Sequence, residues 1–320
     1  MTLRTRFAPS PTGQLHLGHA RAAFEAFGFA REQGGTCLLR IEDIDHTRCR
    51  PDYMRGIYED LDWLGLDWPL PVRVQSRHIA DYMGVVRELV GRGLAYPCTL
   101  TRGDIKARKT CGPATSLSFS KDVLMAWGDY SLHGIESAYR LSDETIEILT
   151  QCLDNAARRE SPTLPFSIRF NLQAALSEVS EQSLTYQEIS RRDCVDRVKK
   201  VEKQNAFNVL NDWVQSDRPD PIIARRDIAT SYDIAVTHDD ALQNITHIVR
   251  GRDLADQTPL HVLLQTLMGW PTPIYYHHDL VLRENGEKLA KRNLDTALAS
   301  LREAGQSVAE IKRLAGVTQE

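Results

Sequence analysis

The chain reads RFAPSPTGQLHLGH from Arg6 to His19, and the neighbouring segments can be interpreted outward from it. The apolar run Leu3 to Phe7 predicts a strand, and a loop punctuated by proline and glycine follows. Apolar residues then recur at helical spacing from Ala20 to Ala30, until Gly34-Gly35 ends the segment. A strand that enters a helix through such a loop directs backbone N–H groups and the positive end of a helix dipole at one point, which suits a phosphate.

Two imidazoles, His16 and His19, lie where the loop meets the helix. Because they are three residues apart, both can lie on one face of the first turn and donate to phosphate oxygens. Gly18 has no side chain and lets a flat base approach the backbone. The alternative is a strand, a turn and a helix with two surface histidines, and spacing alone does not separate the two interpretations.

The composition is that of an ordinary globular protein, with 42% hydrophobic and 26% charged residues in a chain of 320. The chain has no apolar stretch of about 18 residues and no signal-peptide pattern, so we expect a cytoplasmic protein without a membrane segment. Six cysteines without C-x-x-C pairing predict small buried side chains rather than a disulfide framework. The net charge of −4 argues against a globally basic nucleic-acid binder but allows a local cationic patch.

A second candidate site follows the apolar run Thr36 to Ile41, which predicts a buried parallel strand. Glu42, Asp43 and Asp45 come directly after it, at the strand end where open α/β sheets bind ligands. A solvated acidic loop is the alternative. In the functional interpretation, Glu42 accepts hydrogen bonds from the α-ammonium group of an amino acid.

The remaining first hundred residues predict alternating helices and strands. A helix begins near Pro51, a short strand covers Val72 to Gln75, and a second helix covers His78 to Val90. We expect Leu94 to Tyr96 to be the third strand of a βαβαβ half-sheet.

From Thr99 to about Pro219 the apolar period weakens, which predicts an insertion between two halves of one nucleotide-binding domain. It carries cationic clusters at 102–109 and 191–203. Such runs are usually a solvated face, but these are the best candidates in the chain for contacts to RNA phosphates.

The sheet is predicted to resume at Pro221, and the apolar run Ile245 to Val249 ends at Arg250. Arg250 therefore lies at the carboxyl end of a strand, as Glu42 does, and an arginine there can bind a carboxylate bidentately. Tyr232 precedes this run. A half-buried aromatic residue and a surface cation are the structural alternatives for Tyr232 and Arg250.

A hairpin signal at Asn285-Gly286 precedes three cations within five residues, among them Lys288 and Lys291. Such a loop could close over a triphosphate. Two short amphipathic helices are predicted between Leu294 and Leu314.

These motifs, in this order, resemble the class I glutamyl-tRNA synthetases over residues 3–98 and 221–315. The tetrad His16–His19 takes the place of their HIGH motif, and 288–292 that of their KMSKS loop. The resemblance implies an α/β fold in which a Rossmann-type parallel sheet is split by an acceptor-binding-like α+β insertion. The implied segments are the first catalytic half at 1–98, the insertion at 99–220, the second catalytic half at 221–292 and C-terminal helices at 293–320.

The sequences of residues 41–45 and 47–51 are similar to those of the glutamyl-queuosine tRNA(Asp) synthetases. The chain also ends where the anticodon-binding helical domains of a glutamyl-tRNA synthetase would begin. Members of the glutamyl-queuosine family activate L-glutamate with ATP without needing tRNA. They then transfer it to the cyclopentenediol of queuosine, the modified wobble base of tRNA(Asp). The resemblance therefore implies that the substrates are ATP carrying Mg²⁺, L-glutamate and queuosine-containing tRNA(Asp). No long hydrophobic surface helix demands a partner, so we expect a monomer.

The resemblance also implies the site residues. The implied glutamate site comprises Arg6, Phe7, Ala8, Pro9, Ser10, Glu42, Tyr232 and Arg250. The implied ATP site comprises Pro11, Thr12, Gly13, His16, Gly18, His19 and Lys291. Catalysis would be positioning plus neutralisation of phosphate charge by His16, His19, Lys288 and Lys291, with no protein nucleophile.

Two departures from the family pattern affect these expectations. Many relatives bind zinc through Cys-x-Cys, a tyrosine and a further cysteine, whereas here only Cys98 and at most Cys152 remain, with Ile148 at the tyrosine position. With at most two of four ligands present, we expect no zinc ion. Ala290 replaces the serine of the KMSKS-like loop, which removes a hydroxyl that could meet a phosphate.

Two other functions compete with this interpretation. One is a truncated glutamyl-tRNA synthetase that charges a tRNA 3′ end, and the missing anticodon-binding domain disfavours it. The other is a non-catalytic paralogue that senses glutamate or binds RNA. The sensor is disfavoured by the phosphate-side groups His16, His19 and Lys291, because a pure binding module does not need them.

Overall fold

The computed structural model describes residues 2–98, 143–158, 163–190, 200–216, 218–281 and 297–317. The elements up to residue 98 are β1 (Arg4–Phe7), α1 (Leu17–Glu32), β2 (Thr36–Ile41), α2 (Pro51–Trp63), β3 (Arg73–Val74), a 3₁₀ turn (Gln75–His78), α3 (Ile79–Gly91) and β4 (Ala95–Cys98). Those from 143 to 224 are α4 (Asp143–Ala157), β5 (Ser167–Phe170), α5 (Leu172–Ser177), β6 (Thr185–Ser190), β7 (Lys200–Asn205), α6 (Ala206–Val214) and β8 (Ile222–Ala224). The last are α7 (Tyr232–Leu242), β9 (His247–Gly251), a 3₁₀ turn (Arg252–Gln257), α8 (Thr258–Leu267), β10 (Ile274–His278), α9 (Leu298–Glu303) and α10 (Val308–Leu314).

The strand and helix that flank the opening loop form as predicted. β1 pairs in parallel with β2, from Arg4 beside Thr36 to Phe7 beside Leu39. α1 covers this pair with a face of small and aromatic side chains that is buried from Leu17 to Ala30. The small residues allow the helix to lie close to the strands, so its N-terminus meets the carboxyl end of β1.

The parallel strands come together at one edge of the molecule. β3 extends the first pair to the order β1-β2-β3, and β9 pairs in parallel with β10, which pairs in parallel with β6. Thr246, just before β9, donates its N–H to the Arg4 carbonyl at 3.0 Å, and the Arg4 N–H donates to the Thr246 hydroxyl at 2.9 Å. β1 and β9 are therefore neighbours, and the carboxyl ends of both sets of strands meet at one site. The predicted α/β class is confirmed.

The predicted third strand of the first half-sheet is wrong. Residues 95–98 form β4, which pairs antiparallel with β5, and β5 pairs antiparallel with β8. The third parallel strand is the two-residue β3 instead. A fully buried run such as β4 looks the same in sequence whether its partner runs parallel or antiparallel, and its partner lies about 70 residues away along the chain.

β8, where the sheet was expected to resume, belongs to the same antiparallel sheet, so it does not continue the parallel strands. β6 lies inside the predicted insertion but joins β10, with Glu188 beside Tyr275. The four predicted domain segments stay a prediction.

The two C-terminal helices form as predicted and pack against the opening loop. The Leu298 N–H donates to the Leu15 carbonyl at 2.8 Å, and Ala297 forms an isolated β-bridge with His16. Leu298 and Ile311 are fully buried. No helix in the described ranges is long and apolar enough to cross a membrane.

Candidate active site

Two imidazoles cap the N-terminus of α1. His16 is the N-cap residue, and its Nδ1 accepts the Gly18 N–H at 3.1 Å. His19 Nδ1 accepts the His16 N–H at 3.1 Å, and the two ring centroids lie 3.9 Å apart. Since both Nδ1 atoms are acceptors, each neutral ring carries its proton on Nε2, which can donate to an anion. The helix therefore begins with two ring donors beside the positive end of its dipole.

Gly18 is needed for this cap. A Cβ built on Gly18 would lie 2.9 Å from His16 Cε1 and 3.1 Å from its Nδ1. A side chain at position 18 would therefore push the His16 ring away from the helix end. The sequence analysis explained Gly18 by the close approach of a base, and that explanation stays a prediction.

The loop between β1 and α1 is fixed by the segment that follows β2. The Glu42 N–H donates to the Pro9 carbonyl at 3.1 Å, and the Arg50 N–H donates to the Pro11 carbonyl at 3.0 Å. These two bonds hold Ala8, Pro9, Ser10, Pro11, Thr12 and Gly13 at the carboxyl end of the parallel strands. Phe7 is buried in the hydrophobic core under α1, so its side chain is part of the packing.

A cluster of buried ion pairs lies behind Glu42. Arg40 is fully buried, and its Nη1 lies 2.8 Å from Asp240 Oδ1 while its Nη2 lies 3.1 Å from Glu42 Oε1. Arg6 Nε lies 3.1 Å from the same Asp240 oxygen. Burial alone would raise the pKa of Asp240, but the guanidinium groups of Arg6 and Arg40 hold it below its usual value. We call Arg6, Arg40, Asp239 and Asp240 the carboxylate cluster.

Asp239, the neighbouring member of this cluster, collects donors from other elements. Its Oδ1 lies 2.7 Å from Arg73 Nε, and its Oδ2 accepts from the Tyr82 hydroxyl at 2.8 Å and from Gln75 Nε2 at 3.1 Å. Burial raises the pKa of Asp239, but the hydrogen bonds and cations around it lower that pKa below the usual value overall. Asp239 and Asp240 therefore join α7 to β1, β2, β3 and α3.

Glu42 itself is buried, and burial raises its pKa even though Arg40 and Arg6 act in the opposite direction. The two carboxylates that follow it bind other segments of the chain. Asp43 accepts the Ser76 N–H at 2.8 Å and the Ser76 hydroxyl at 2.7 Å, and Asp45 lies 3.1 Å from Arg225 Nη1. The acidic run therefore divides into one residue at the site and two that tie loops together.

Arg250 is stabilised differently from the other arginines of the site. Its Nε donates to His277 Nε2 at 3.3 Å, its Nη1 lies 3.3 Å from His261 Nδ1, and its Nη2 donates to the Thr258 hydroxyl at 2.7 Å. Only 4% of Arg250 is exposed. Within the described residues no carboxylate pairs with it, so Arg250 is a buried cation held by uncharged acceptors. We call Thr258, His261 and His277 the Arg250 cage.

Both histidines of the cage also meet a carboxylate. His277 Nδ1 lies 2.8 Å from Glu188 Oε1, and His261 Nε2 lies 2.9 Å from Asp233 Oδ1. Burial, with Arg250 adding to it, holds the pKa of each histidine below its usual value although the carboxylate acts in the opposite direction. Neutral imidazoles are therefore the stable form around Arg250 at neutral pH.

The predicted glutamate residues from both halves of the chain meet at one place. The Tyr232 ring lies 5.8 Å from that of His261. Burial and the Glu42 charge raise the pKa of Tyr232 to about 12, while Arg250 and Arg6 lower it, so all three charges act on one phenol. Arg6, Glu42, Tyr232 and Arg250 thus surround a shared site, although the first two belong to the first catalytic half and the last two to the second.

Some predicted residues lie outside the described ranges. Lys288, Lys291 and Ala290 belong to residues 282–296, so their expected roles stay predictions. Among the described residues, no group of three histidine, cysteine or acidic side chains could hold a metal ion. Cys98 is buried in β4 and Cys152 lies on α4, and the zinc prediction remains untested because residues 99–142 fall outside the description.

The sequence-based prediction gave no role to Arg40, Glu188, Asp239, Asp240 or His277. A signal did exist for Arg40, because a cation inside the apolar strand Thr36–Ile41 must be buried and needs an anion. Asp239 and Asp240 could have supplied it, as adjacent acids in a helix with apolar neighbours. The segment that forms β10 was not assigned as a strand, so His277 had no predicted position.

Comparisons with known proteins show the family to which the chain belongs. A family model described as tRNA synthetases class I (E and Q), catalytic domain, matches residues 2–122 and 135–315. The glutamyl-Q tRNA(Asp) synthetase of Rhodobacter capsulatus is 35% identical over 314 residues, which cover 98% of this chain and 99% of that protein. The glutamate–tRNA ligase of Synechococcus sp. (strain JA-3-3Ab) is 32% identical over 95% of this chain, but the match covers only 54% of that ligase.

A solved structure has a similar fold. It is a glutamate tRNA ligase from Elizabethkingia meningosepticum in complex with its amino acid, with a TM-score of 0.58 and 26% identity. The match covers 92% of this chain and 53% of that chain, so the chain spans about half the length of such a ligase. The chain therefore belongs to the class I tRNA synthetases of the E and Q type, and it is a ligase of that family.

Proposed function

We propose that the chain activates L-glutamate with ATP, without needing tRNA, and transfers the glutamyl group to queuosine at the wobble position of tRNA(Asp). The family membership supports ligation of an amino acid to a tRNA. The near end-to-end match to a protein named glutamyl-Q tRNA(Asp) synthetase, against a half-length match to glutamate–tRNA ligases, favours queuosine as the acceptor.

The observation that carries the glutamate assignment is the unpaired charge of Arg250. Arg6 and Arg40 share Asp240 and Glu42, so the positive and negative charges of that group balance. Arg250 has a buried charge with no carboxylate among the described residues. A ligand carboxylate would complete this site, and Glu42 on the other side offers a carboxylate for the ligand ammonium.

The ATP side is proposed at the N-terminus of α1. The Nε2–H groups of His16 and His19 are donors suited to phosphate oxygens, and Lys288 and Lys291 are proposed to add charge from the following loop. Mg²⁺ would arrive bound to the nucleotide. The glutamate α-carboxylate attacks the α-phosphorus of ATP, a P–O bond breaks and pyrophosphate leaves, so the protein supplies position and charge neutralisation.

The second step forms an ester. A ring hydroxyl of queuosine attacks the carbonyl carbon of glutamyl-adenylate, AMP leaves with the bonding electrons, and the hydroxyl proton is released. No residue acts as a covalent nucleophile in either step. We also propose that the protein works as a cytoplasmic monomer.

Glutamate-dependent ATP–pyrophosphate exchange without RNA tests the first step. We expect exchange with glutamate and none with glutamine, whose amide carries no charge to meet Arg250. If glutamate supports no exchange under any condition, the protein is instead the non-catalytic paralogue.

Transfer of labelled glutamate tests the acceptor. We expect label on tRNA(Asp) that contains queuosine and none on the same tRNA with guanosine at the wobble position. Label that appears on tRNA(Glu), but not on tRNA(Glu) whose 3′ end was oxidised with periodate before the reaction, would identify a truncated glutamyl-tRNA synthetase instead.

A further inference from the structure

We propose that Glu188 and Asp233 are positioning residues for glutamate, because each fixes one histidine of the Arg250 cage in the tautomer that turns a ring lone pair toward Arg250. This inference rests on the proposed function, since it assumes that Arg250 receives a carboxylate of glutamate. Neither Glu188 nor Asp233 is among the residues expected to touch the substrate.

The tautomers follow from what a guanidinium can do. All five N–H groups of arginine donate and none of its atoms accepts, so any ring nitrogen that it meets must carry a lone pair. Arg250 Nε meets His277 Nε2, and Arg250 Nη1 meets His261 Nδ1. The proton of His277 must therefore be on Nδ1 and that of His261 on Nε2. The two rings have opposite tautomers.

Those protonated nitrogens are the ones that meet the carboxylates. His277 Nδ1 donates to Glu188 at 2.8 Å, and His261 Nε2 donates to Asp233 at 2.9 Å. An ionised carboxylate only accepts, so it holds the ring proton on its own side and leaves the lone pair on the other. Glu188 comes from β6 and Asp233 from the first turn of α7, so two separate elements fix the two rings.

Thr258 completes the arrangement. Its hydroxyl accepts from Arg250 Nη2 at 2.7 Å and lies 3.2 Å from His277 Nε2, to which it can donate. If His277 carried its proton on Nε2, that hydrogen would face the Arg250 Nε–H, and the threonine hydroxyl would have to accept it instead of donating. The wrong tautomer would therefore remove the bond from Arg250 Nε and reverse the bond between Thr258 and His277.

The cage makes glutamate binding sensitive to acid. The charged and titratable groups around it, from every element packed against it, are Arg6, Glu42, Tyr186, Glu188, Tyr232, Asp233, Asp240, Arg250, Arg252 and Tyr275. Protonation of either histidine replaces a lone pair that faces Arg250 with a donor and adds a second buried cation beside it. Arg250 must then move, and the KM for glutamate rises as the pH falls.

The kinetic test compares an alanine with an amide at each carboxylate, by ATP–pyrophosphate exchange at pH 7.5. Glu188→Ala and Asp233→Ala should each raise the KM for glutamate about tenfold, the cost of roughly one hydrogen bond, with kcat and the KM for ATP within about twofold of wild type. Glu188→Gln and Asp233→Asn should restore most of the affinity, because an amide oxygen still accepts the ring proton. Equal loss in the alanine and amide variants, or a parallel change in both KM values, would overturn the proposal.

The pH profile gives a readout that a merely structural role would not move. In Glu188→Gln the rise in the KM for glutamate should begin at a lower pH than in wild type, since the imidazolium of His277 loses its carboxylate partner. Glu178→Gln is the matched control, because Glu178 is an exposed carboxylate that pairs with Arg92, away from the cage. An acid limb unchanged in Glu188→Gln would contradict the inference.

Nitrogen NMR on protein labelled with ¹⁵N-histidine tests the tautomers without any activity. Ten histidines give ten assignable rings. At pH 7.5 we expect His277 to be protonated at Nδ1 only and His261 at Nε2 only. Reversed tautomers, or a doubly protonated ring, would refute the positioning role even if exchange is normal. If wild-type protein has the expected tautomers but no exchange activity, the proposed function fails and the tautomer assignment stands.

Discussion

Arg40 and Arg250 are both buried at the same site, but they are stabilised in opposite ways. Arg40 lies against Asp240 and Glu42, and burial, which opposes its charge, is outweighed by these carboxylates, so its pKa is raised. Arg250 lies against a threonine hydroxyl and two neutral imidazoles. The first arginine has its counter-charge within the protein, whereas the second has none among the described residues and is proposed to receive one from a ligand. The difference separates a group that supports the fold from a group that is available for binding.

The largest expected effect on the carboxylate cluster comes from Arg40→Met. The substitution leaves Asp240 and Glu42 buried beside one cation fewer, so we expect the free energy of unfolding to fall by about 3–5 kcal/mol. Urea unfolding followed by circular dichroism measures the change. Stability equal to that of wild type would mean that Arg40 is not a structural cation.

Arg250→Met should have the opposite pattern. It removes an uncompensated buried charge, so the free energy of unfolding should stay the same or rise, while kcat/KM for glutamate in exchange falls by roughly 30- to 1,000-fold, or about 2–4 kcal/mol. Arg55→Met is the control, because Arg55 is exposed and, among the described residues, pairs with the exposed Asp52. A large loss of stability together with the loss of activity would remove the distinction between the two arginines.

Tyr82→Phe tests whether the carboxylate cluster stabilises the fold without affecting the affinity for glutamate. It deletes the hydroxyl that donates to Asp239 at 2.8 Å, so we expect about 1–2 kcal/mol of destabilisation and no change in the KM for glutamate. The pKa of Tyr82 is raised, by burial first and then by Asp239, so the phenol stays neutral and keeps donating. Unfolding in urea at pH 8, with exchange kinetics on the same sample, checks both expectations. An increased KM for glutamate would show that the carboxylate cluster also sets substrate affinity.

The smallest expected effect is a difference in the pH at which the Arg250 cage and the carboxylate cluster lose their contributions to stability. His261 and His277 have folded-state pKa values below the unfolded value of 6.5, so the unfolded chain binds more protons and stability is lost as the pH falls below about 6.5. Asp239 and Asp240 have pKa values below 3.8, so their contribution persists until the pH falls below about 4.

We therefore expect unfolding free energy to fall by about 1 kcal/mol between pH 7.5 and 5.0 because of the cage histidines. A His261→Gln, His277→Gln double variant should show a correspondingly smaller fall. Because the other histidines are the same in both proteins, the difference between the two falls is due to the cage histidines alone. An identical pH dependence in both proteins would mean that the cage does not exclude protons.

The sequence predicted correctly the elements whose local pattern favours the same structure as their tertiary packing. The strand Thr36–Ile41 and the helix beginning at Pro51 have the predicted bounds, because apolar runs and an N-terminal proline describe the same structure locally and globally. β4 was assigned to the wrong sheet, because pairing with Phe170 depends on a segment that local pattern does not identify.

The site was predictable only in part for a related reason. Position at the carboxyl ends of strands drew attention to Glu42 and Arg250, which do meet the same site. The sequence does not show which carboxylate each arginine pairs with, because Asp240 lies 200 residues from Arg40. Arg6 and Arg250 were both implied members of the glutamate site, yet of the two only Arg250 lacks a carboxylate among the described residues.

Isothermal titration of L-glutamate into wild-type protein and Arg250→Met, both with a non-hydrolysable ATP analogue present, measures whether Arg250 receives a carboxylate of glutamate. We expect saturable binding to wild type and affinity reduced by at least about 30-fold in Arg250→Met, with Arg250→Met at least as resistant to urea as wild type. Equal affinity in the two proteins would contradict the assignment of Arg250 as the carboxylate receptor.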